Sequence, residues 1–413
     1  MTEPLSRPKR KNPLKRTRLP LSPQPMRSRA AHLLTQAAAE GRFGLPTCLA
    51  CGHHHYPPRD ACPKCLAAEI VMAPASDLGQ LAAATSVEVA QDLYFRERTP
   101  WRLGTVVLAA GPSVVAHLHG DCAEGDRVRL SWRLDRSGNA VAFAEPAVTT
   151  PNMSDDSQWR EMTNDPKFRR ILITDGRSSL ALALAKALAQ AGASLIFVGL
   201  ADAWKPFPEM DAFKRIPGVE ILPLDLTDSD SVTELAGEIG ARVDILINTA
   251  EHIRPGGLTE RTGVTLAREE LEAGYLGLMR LAQAFGPVMK FRGADGANSA
   301  CAWVNLLSVY ALMSWPAYGV YSAAQAAVYA AALSLRSELR SGGVRVMNVF
   351  SGPLDTDWFQ TVPPPKVAPA QVARAVVDAL MKGIEDVFVG DVAEDIRARL
   401  AKNPKALERE LGQ

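Results

Sequence analysis

The sequence predicts a multidomain chain: a small cysteine-stapled module and a five-stranded β-barrel, followed by an α/β doubly wound parallel sheet. Three observations carry that expectation. Four of the six cysteines are paired two by two, as Cys48-x-x-Cys51 and Cys62-x-x-Cys65. Between Gly79 and Pro146, short β-rich runs are separated by turn signals, the pattern of a small closed barrel. From about Phe168 onward, apolar runs alternate with amphipathic stretches, as strands alternate with crossover helices around a parallel sheet.

At 413 residues the chain has room for several hydrophobic cores. The formal charge of +1 hides an asymmetry: residues 1–29 carry nine Lys/Arg against Glu3 alone, a net of +8 that leaves −7 for the rest. Residues 1–28, basic, Pro-rich and without periodicity, are predicted to be disordered. They are either a solvated tail or an arm for nucleic acid or another acidic partner. No apolar run reaches the roughly 18 residues of a membrane span, and no signal-peptide core is present. A cytoplasmic protein without membrane attachment is expected, and in a reducing compartment paired cysteines read as metal ligands rather than disulfides.

The second segment, 29–78, begins with a short helix ended by Gly41. The two Cys-x-x-Cys knuckles follow, ten residues apart, with Gly52, Pro57, Pro58 and Pro63 as turn formers. Cys48, Cys51, Cys62 and Cys65 are therefore predicted to hold one zinc tetrahedrally; with four thiolates the shell is closed and the metal structural. His53, His54 and His55 are expected to be exposed loop residues, since four sulfurs already complete the shell.

The third segment, 79–148, carries predicted strands at 81–89, 103–108, 113–119, 127–134 and 140–144, most simply an OB-fold. Such folds also bind nucleic acid, in grooves lined by Lys/Arg and aromatic platforms. Between Leu66 and Pro166, however, there is no Lys, and eight Arg face fourteen Asp/Glu, a net of −6. That sign repels phosphate chains and argues against a nucleic-acid groove. Together, Cys-x-x-Cys-Gly, Tyr56-Pro57-Pro58-Arg59, Cys62-Pro63-x-Cys65 and a barrel closing at Phe143-Ala144-Glu145-Pro146 resemble the acyl-CoA-associated zinc-ribbon/OB-fold family. The resemblance covers about residues 28–148. It implies a thiolase-like enzyme as partner and an acyl-CoA thioester as the ligand whose site the module helps to shape.

After a predicted polar linker, 149–166, the last segment, 167–413, has predicted strands at 170–174, 194–200, 220–224, 244–248, 302–307, 344–350 and 386–389. An apolar run ending in Ser308 precedes a helix that carries Tyr321. This segment resembles the short-chain dehydrogenase/reductase family, a Rossmann-like fold in which a strand-end Ser, a Tyr thirteen positions later and a Lys four beyond it form the catalytic set. Ser308 and Tyr321 keep that spacing, but Gln325 stands at the Lys position and Gly274 at that of the catalytic Asn. The resemblance makes Tyr321 the general acid or base and Ser308 the residue that orients the carbonyl. It places Thr174, Gly176, Asp225, Asn248 and Thr356 at the dinucleotide. The family's glycine-rich turn is here Thr174-Asp175-Gly176-Arg177-Ser178-Ser179-Leu180-Ala181, with Asp175, Ser179 and Ala181 where glycines stand, and its Asn-Asn-Ala-Gly is Asn248-Thr249-Ala250-Glu251.

Those glycines let backbone approach a pyrophosphate at a helix N-terminus, and a phenol without a nearby cation titrates too high for proton transfer at neutral pH. NAD(P) binding is therefore expected to be weak or lost, and Ser308 and Tyr321 to be vestigial. The resulting expectation is an accessory subunit of an acyl-CoA thiolase-like complex, a hetero-oligomer that also pairs with an active reductase subunit. In this family the helices flanking the active-site strand, here 267–291 and 317–341, pack on a partner subunit. Two other readings stand beside it: a working NAD(P)-dependent reductase of β-keto or β-hydroxyacyl-CoA, in which Gln325 holds the ribose, and a nucleic-acid-binding protein.

Overall fold

The computed structural model describes residues 2–4, 31–292 and 302–412. The predicted disordered tail lies outside the described residues except for Thr2, Glu3 and Pro4, and Cys301 lies outside them too.

Helix α1 (Ala31–Ala39) buries Leu34, Ala37 and Ala38 and ends where Gly41 adopts φ +65°, a left-handed conformation that suits glycine after a helix. Strand β1 (Leu45–Cys48) pairs antiparallel with β2 (Ile70–Ala73), and both cysteine knuckles hang from this ladder. The ladder is anchored to the barrel by Trp132. Its ring lies 5.7 Å from both Phe43 and Tyr56, and its indole N–H donates to the Gly44 carbonyl at 2.7 Å.

The barrel contains β3 (Leu78–Val87), β4 (Trp101–Leu108), β5 (Ser113–Leu118), β6 (Arg127–Leu134) and β7 (Ala140–Pro146). It closes in the order β3-β4-β5-β7-β6, with β5 and β7 parallel and the other pairs antiparallel. This is the OB-type barrel that the spacing of apolar runs predicts, filled by Leu81, Val106, Val114, Leu118, Val128 and Leu130. A short helix, α2 (Leu93–Arg96), interrupts the β3–β4 connection.

Residues 149–166 have the polar composition expected of a linker, but their polar groups are turned inward. Asp155, Asp156, Gln158, Arg160, Glu161, Thr163, Asn164 and Asp165 are all buried. Helix α3 (Ser157–Glu161) is capped by Asp156, which accepts from the Trp159 N–H. Gln158 brackets the Arg102 backbone, accepting at 2.6 Å and donating at 3.0 Å. Glu161 lies 3.3 Å from Arg98 and 3.4 Å from Arg136. Trp159 and Met162 pack with Trp101 and Phe143, and Met381 of the last segment completes the cluster. Polar side chains thus become a seam between barrel and sheet because most of them meet a partner there, as buried polar groups must; the Thr163 hydroxyl has none among the described residues.

The sheet comprises β8 (Arg170–Ile173), β9 (Leu195–Leu200), β10 (Val219–Pro223), β11 (Ile245–Asn248), β12 (Ala302–Ser308), β13 (Arg345–Ser351) and β14 (Asp386–Val389). Its order is β10-β9-β8-β11-β12-β13-β14, parallel throughout. The strand order reverses between β8 and β11, and ligands of such sheets bind at that switch point beyond the strands' C-terminal ends. The central strands are continuous apolar runs because helices cover both faces. One core involves α4 (Ala181–Gln190) and α10 (Pro369–Lys382); the other involves α6 (Ser229–Ile239), α8 (Gly277–Arg292) and α9 (Gly319–Leu339). Helices α5 (Met210–Lys214), α7 (Thr265–Leu271), α11 (Asp391–Lys402) and α12 (Pro404–Leu411) complete the chain. Among the described residues, no helix is long and apolar enough to cross a membrane.

Candidate functional site

The ribbon brings its four predicted ligands together. The sulfurs of Cys48, Cys51, Cys62 and Cys65 all lie within 4.8 Å of one another, with Cys48–Cys65 at 3.5 Å and Cys51–Cys62 at 3.7 Å. Four thiolates at a Zn–S distance of about 2.3 Å define a tetrahedron with edges of about 3.8 Å, so the donor set fits zinc. The Lys64 N–H points at Cys62 Sγ from 3.4 Å, the kind of outer contact that fixes a metal ligand. The adjoining histidines correct the expectation of exposure. His55 is buried, and His54 Nδ1 lies 2.7 Å from Thr47 Oγ1. The physical reason is backbone pairing: the chain after Gly52 folds back onto β1, with the Cys48 N–H donating to the His53 carbonyl and the His55 N–H to that of Pro46.

The second candidate site lies at the C-terminal ends of β8, β11, β12 and β13. Ser308 ends β12 and accepts the Tyr310 N–H, and Tyr321 projects from the first turns of α9 onto the same small cavity. The other two members of the set are different groups with different bonds. Gln325 Oε1 accepts the Ser308 N–H at 3.1 Å, so the side chain at the Lys position is tied to backbone. Gly274 sits in a π-helical turn (Glu272–Leu276) joining α7 and α8. A Cβ at Gly274 would meet only Val328 Cγ2, at 3.4 Å, so packing at this turn does not require glycine.

Glu251 was not among the site residues expected from sequence, although its place in Asn248-Thr249-Ala250-Glu251 was a signal. Its carboxylate is 3.2 Å from the Tyr321 hydroxyl. Burial raises the Glu251 pKa to about 7. Burial also pushes the Tyr321 phenol well above its usual value, and the Glu251 charge adds to the shift. The cavity remaining among Leu180, Thr249, Glu251, Ser308, Tyr321 and Phe359 is about 10 Å³, at the lower limit for one water.

Of the residues assigned to the dinucleotide, Thr174 and Asn248 meet each other, Thr174 Oγ1 donating to Asn248 Oδ1 at 3.2 Å. The Gly176 N–H donates to the Gly199 carbonyl at 2.7 Å, and a Cβ there would lie 2.5 Å from Val198 Cγ1, so strand packing by itself demands this glycine. Asp175 Oδ1 accepts the Arg177 N–H at 2.9 Å inside the turn, and burial raises its pKa. Asp225 closes its own turn by accepting from the Thr227 N–H and hydroxyl. Thr356, in the loop after β13, has a buried hydroxyl with no hydrogen-bond partner.

A doubly wound sheet with a Ser–Tyr pair at the end of its fifth strand, preceded by a four-cysteine ribbon and an OB-type barrel, defines a fused reductase-type chain. The family described as Enoyl-(Acyl carrier protein) reductase matches residues 176–388, more than half of the chain, and the protein belongs to that family. Residues 35–71 match the ChsH2 rubredoxin-like zinc ribbon domain and residues 73–133 the ChsH2 C-terminal OB-fold domain. Among curated relatives, an uncharacterized oxidoreductase of Mycobacterium bovis is 27% identical, over 56% of this chain and 69% of its own. A short-chain dehydrogenase of Penicillium ochrochloron is 29% identical, over 47% and 68% respectively. A solved short chain dehydrogenase from Burkholderia cenocepacia, in complex with NADP, is 29% identical with a TM-score of 0.53, covering 59% of this chain and 98% of that one.

Proposed function

We propose that this protein is an accessory subunit of an acyl-CoA thiolase-like complex, in which segments 29–78 and 79–148 dock on the thiolase and segment 167–413 serves assembly rather than hydride transfer. The observation that carries the second half is the bonding at Tyr321. Its hydroxyl is engaged by the Glu251 carboxylate, and Gln325 brings no charge and is held on the Ser308 backbone. A positioned acid or base contributes about 10² to 10⁴ in rate. A phenol raised by burial beside a carboxylate is the opposite of what that role needs. The ribbon and barrel support the first half, since they match the ChsH2 zinc-ribbon and OB-fold domains, the two modules whose resemblance implies a thiolase-like partner.

Support for assembly comes from α8 and α9. Between them runs an apolar groove of about 1090 Å³, lined by Tyr275, Met279, Phe291, Ala327 and Ala331, with Lys290 and Glu338 also on its walls. Phe291 is 57% exposed, and the small Ala side chains leave room for another helix pair. An intact subunit of the same fold seated there, working in the dehydrogenase direction, would oxidise a β-hydroxyacyl-CoA with NAD(P)+ as hydride acceptor and pass the β-keto acyl-CoA to the thiolase-like partner for cleavage, gaining effective concentration from the linkage. The test is Ala327→Trp with Ala331→Trp, followed by size-exclusion chromatography with candidate reductase and thiolase-like partners. Loss of the reductase from the assembly, with the thiolase retained, is the expected result. Unchanged assembly by a folded double variant would refute the groove as the interface.

A further inference from the structure

The hairpin between β6 and β7 presses its tip, residues 135–139, against the C-terminal end of α9 and the start of β13. The seam encloses a polar cavity of about 20 Å³, lined by Arg136, Arg336, Arg340 and Arg345 together with Asp135 and Glu385. That volume exceeds the roughly 10–15 Å³ that a water-sized occupant needs.

The two carboxylates are already engaged. Asp135 Oδ1 accepts from the Ser137 and Asn139 backbone N–H groups at 2.8 and 2.9 Å. Glu385 lies 3.7 Å from Arg336, which bonds more closely to Asp386 at 2.7 Å. The remaining guanidiniums are less well matched. Arg345, 6% exposed, donates to the carbonyls of Leu134 at 2.8 Å and Met162 at 3.4 Å and makes no ion pair among the described residues. Arg136, equally buried, shares Glu161 with Arg98, and its Nη2 has no hydrogen-bond partner among the described residues. The Asn164 amide between them is best satisfied with its oxygen towards Arg345 Nη1, at 3.0 Å, which takes it from Arg136. Burial and the Arg136 charge bring the Arg345 pKa down to about 10, so the positive charges here oppose one another.

We propose that this cavity binds a small inorganic monoanion of chloride size, held by Arg136, Arg345 and Arg340, which fastens the barrel hairpin to the reductase-type sheet. A water molecule would accept one of the orphaned N–H groups but would offset no charge. A halide accepts several N–H donors and offsets charge at Arg345, which makes no ion pair among the described residues, and at Arg136, which shares Glu161 with Arg98. The Asp135 and Glu385 carboxylates on its walls disfavour a doubly charged oxyanion.

The experiment is thermal unfolding of the full zinc-loaded chain at constant ionic strength, with chloride or bromide exchanged for gluconate, so that general screening is held fixed. A site that binds only the folded state raises the midpoint, and the stabilisation grows with the logarithm of ligand concentration once that exceeds Kd. Chloride and bromide should do so and gluconate should not. Arg340→Gln, at an exposed rim position, should fold normally and raise several-fold the halide concentration at which the midpoint begins to climb. Bromide-soaked crystals should show anomalous density between Arg136 and Arg345. Equal midpoints in chloride and gluconate, an unaltered response in Arg340→Gln, or density for water alone would each overturn the proposal.

Discussion

The cysteine ribbon gathers four residues from within 48–65, whereas the cleft at Tyr321 joins residues as far apart as Glu251 and Tyr321, and the two hold different kinds of chemistry. In the ribbon, four sulfurs converge within 4.8 Å, and nothing in their surroundings competes with a metal for them. In the cleft, a phenol, a carboxyl and an amide satisfy one another: Tyr321 with Glu251 and Gln325 with the Ser308 N–H. The difference shows that a fold tolerates loss of a catalytic set when the replacing side chains make bonds of their own. A metal site has no such substitute, because removing one thiolate leaves the others without the ion that holds them. Retention of donors in one place and their replacement in the other thus point to where this chain is under chemical demand.

The comparison breaks most directly at the ribbon. Cys51→Ser should reduce zinc from one per chain to a trace by metal analysis and unfold the segment around β1 and β2, since structural zinc supplies folding free energy on the order of 10 kcal/mol in small domains. Hydrogen exchange should show the sheet after Phe168 still protected. Iron in place of zinc, or a ribbon still protected without metal, would contradict the assignment.

A smaller effect is expected at the seam that joins the two regions. Glu161→Ala leaves Arg98 and Arg136 buried without their shared carboxylate, and breaking such a pair costs about 3–5 kcal/mol. Urea denaturation should register that loss, while Glu145→Ala, whose partner Arg133 is 3.8 Å away, should lose less.

The smallest effect sharpens the reading of the cleft. Glu251 is held at about 7 rather than 4.5, so its protonated form is favoured in the folded state. The stability linked to this group is full below about pH 4.5 and is lost as pH rises to about 7, with no further change above. Glu251→Gln, neutral throughout, should therefore gain on the parent across that interval, reaching on the order of 2 kcal/mol at pH 8 after allowance for partial exposure. A constant difference between the two proteins from pH 5 to 8 would mean that burial does not hold the Glu251 carboxyl protonated as described.

Much of the fold was legible because apolar periodicity is a local property. The barrel strands at 127–134 and the last sheet strand at 386–389 have the predicted bounds, and the others shift by only a few residues. The four cysteines were legible because their spacing alone defines two knuckles. Four features were not. Residues 149–166 read as a linker because composition reports that groups are polar, not that Arg98, Arg136 and Arg102 wait to receive them. His55 is buried by pairing with Pro46 across the knuckle, which no local pattern reveals. Glu251 was visible as a departure from a glycine, but its contact with Tyr321 spans 70 positions and exists only once β11 and α9 are placed. The π-helical turn at Gly274 was likewise hidden inside one long amphipathic pattern.

The most direct test of the central claim is calorimetric titration of the full zinc-loaded chain with NADPH and, separately, NADH, together with an assay for reduction of a β-keto acyl-CoA. The account predicts no saturable heat in the micromolar range for either nucleotide, and no turnover. Micromolar binding accompanied by turnover that disappears in Tyr321→Phe would contradict it and establish the protein as a working reductase.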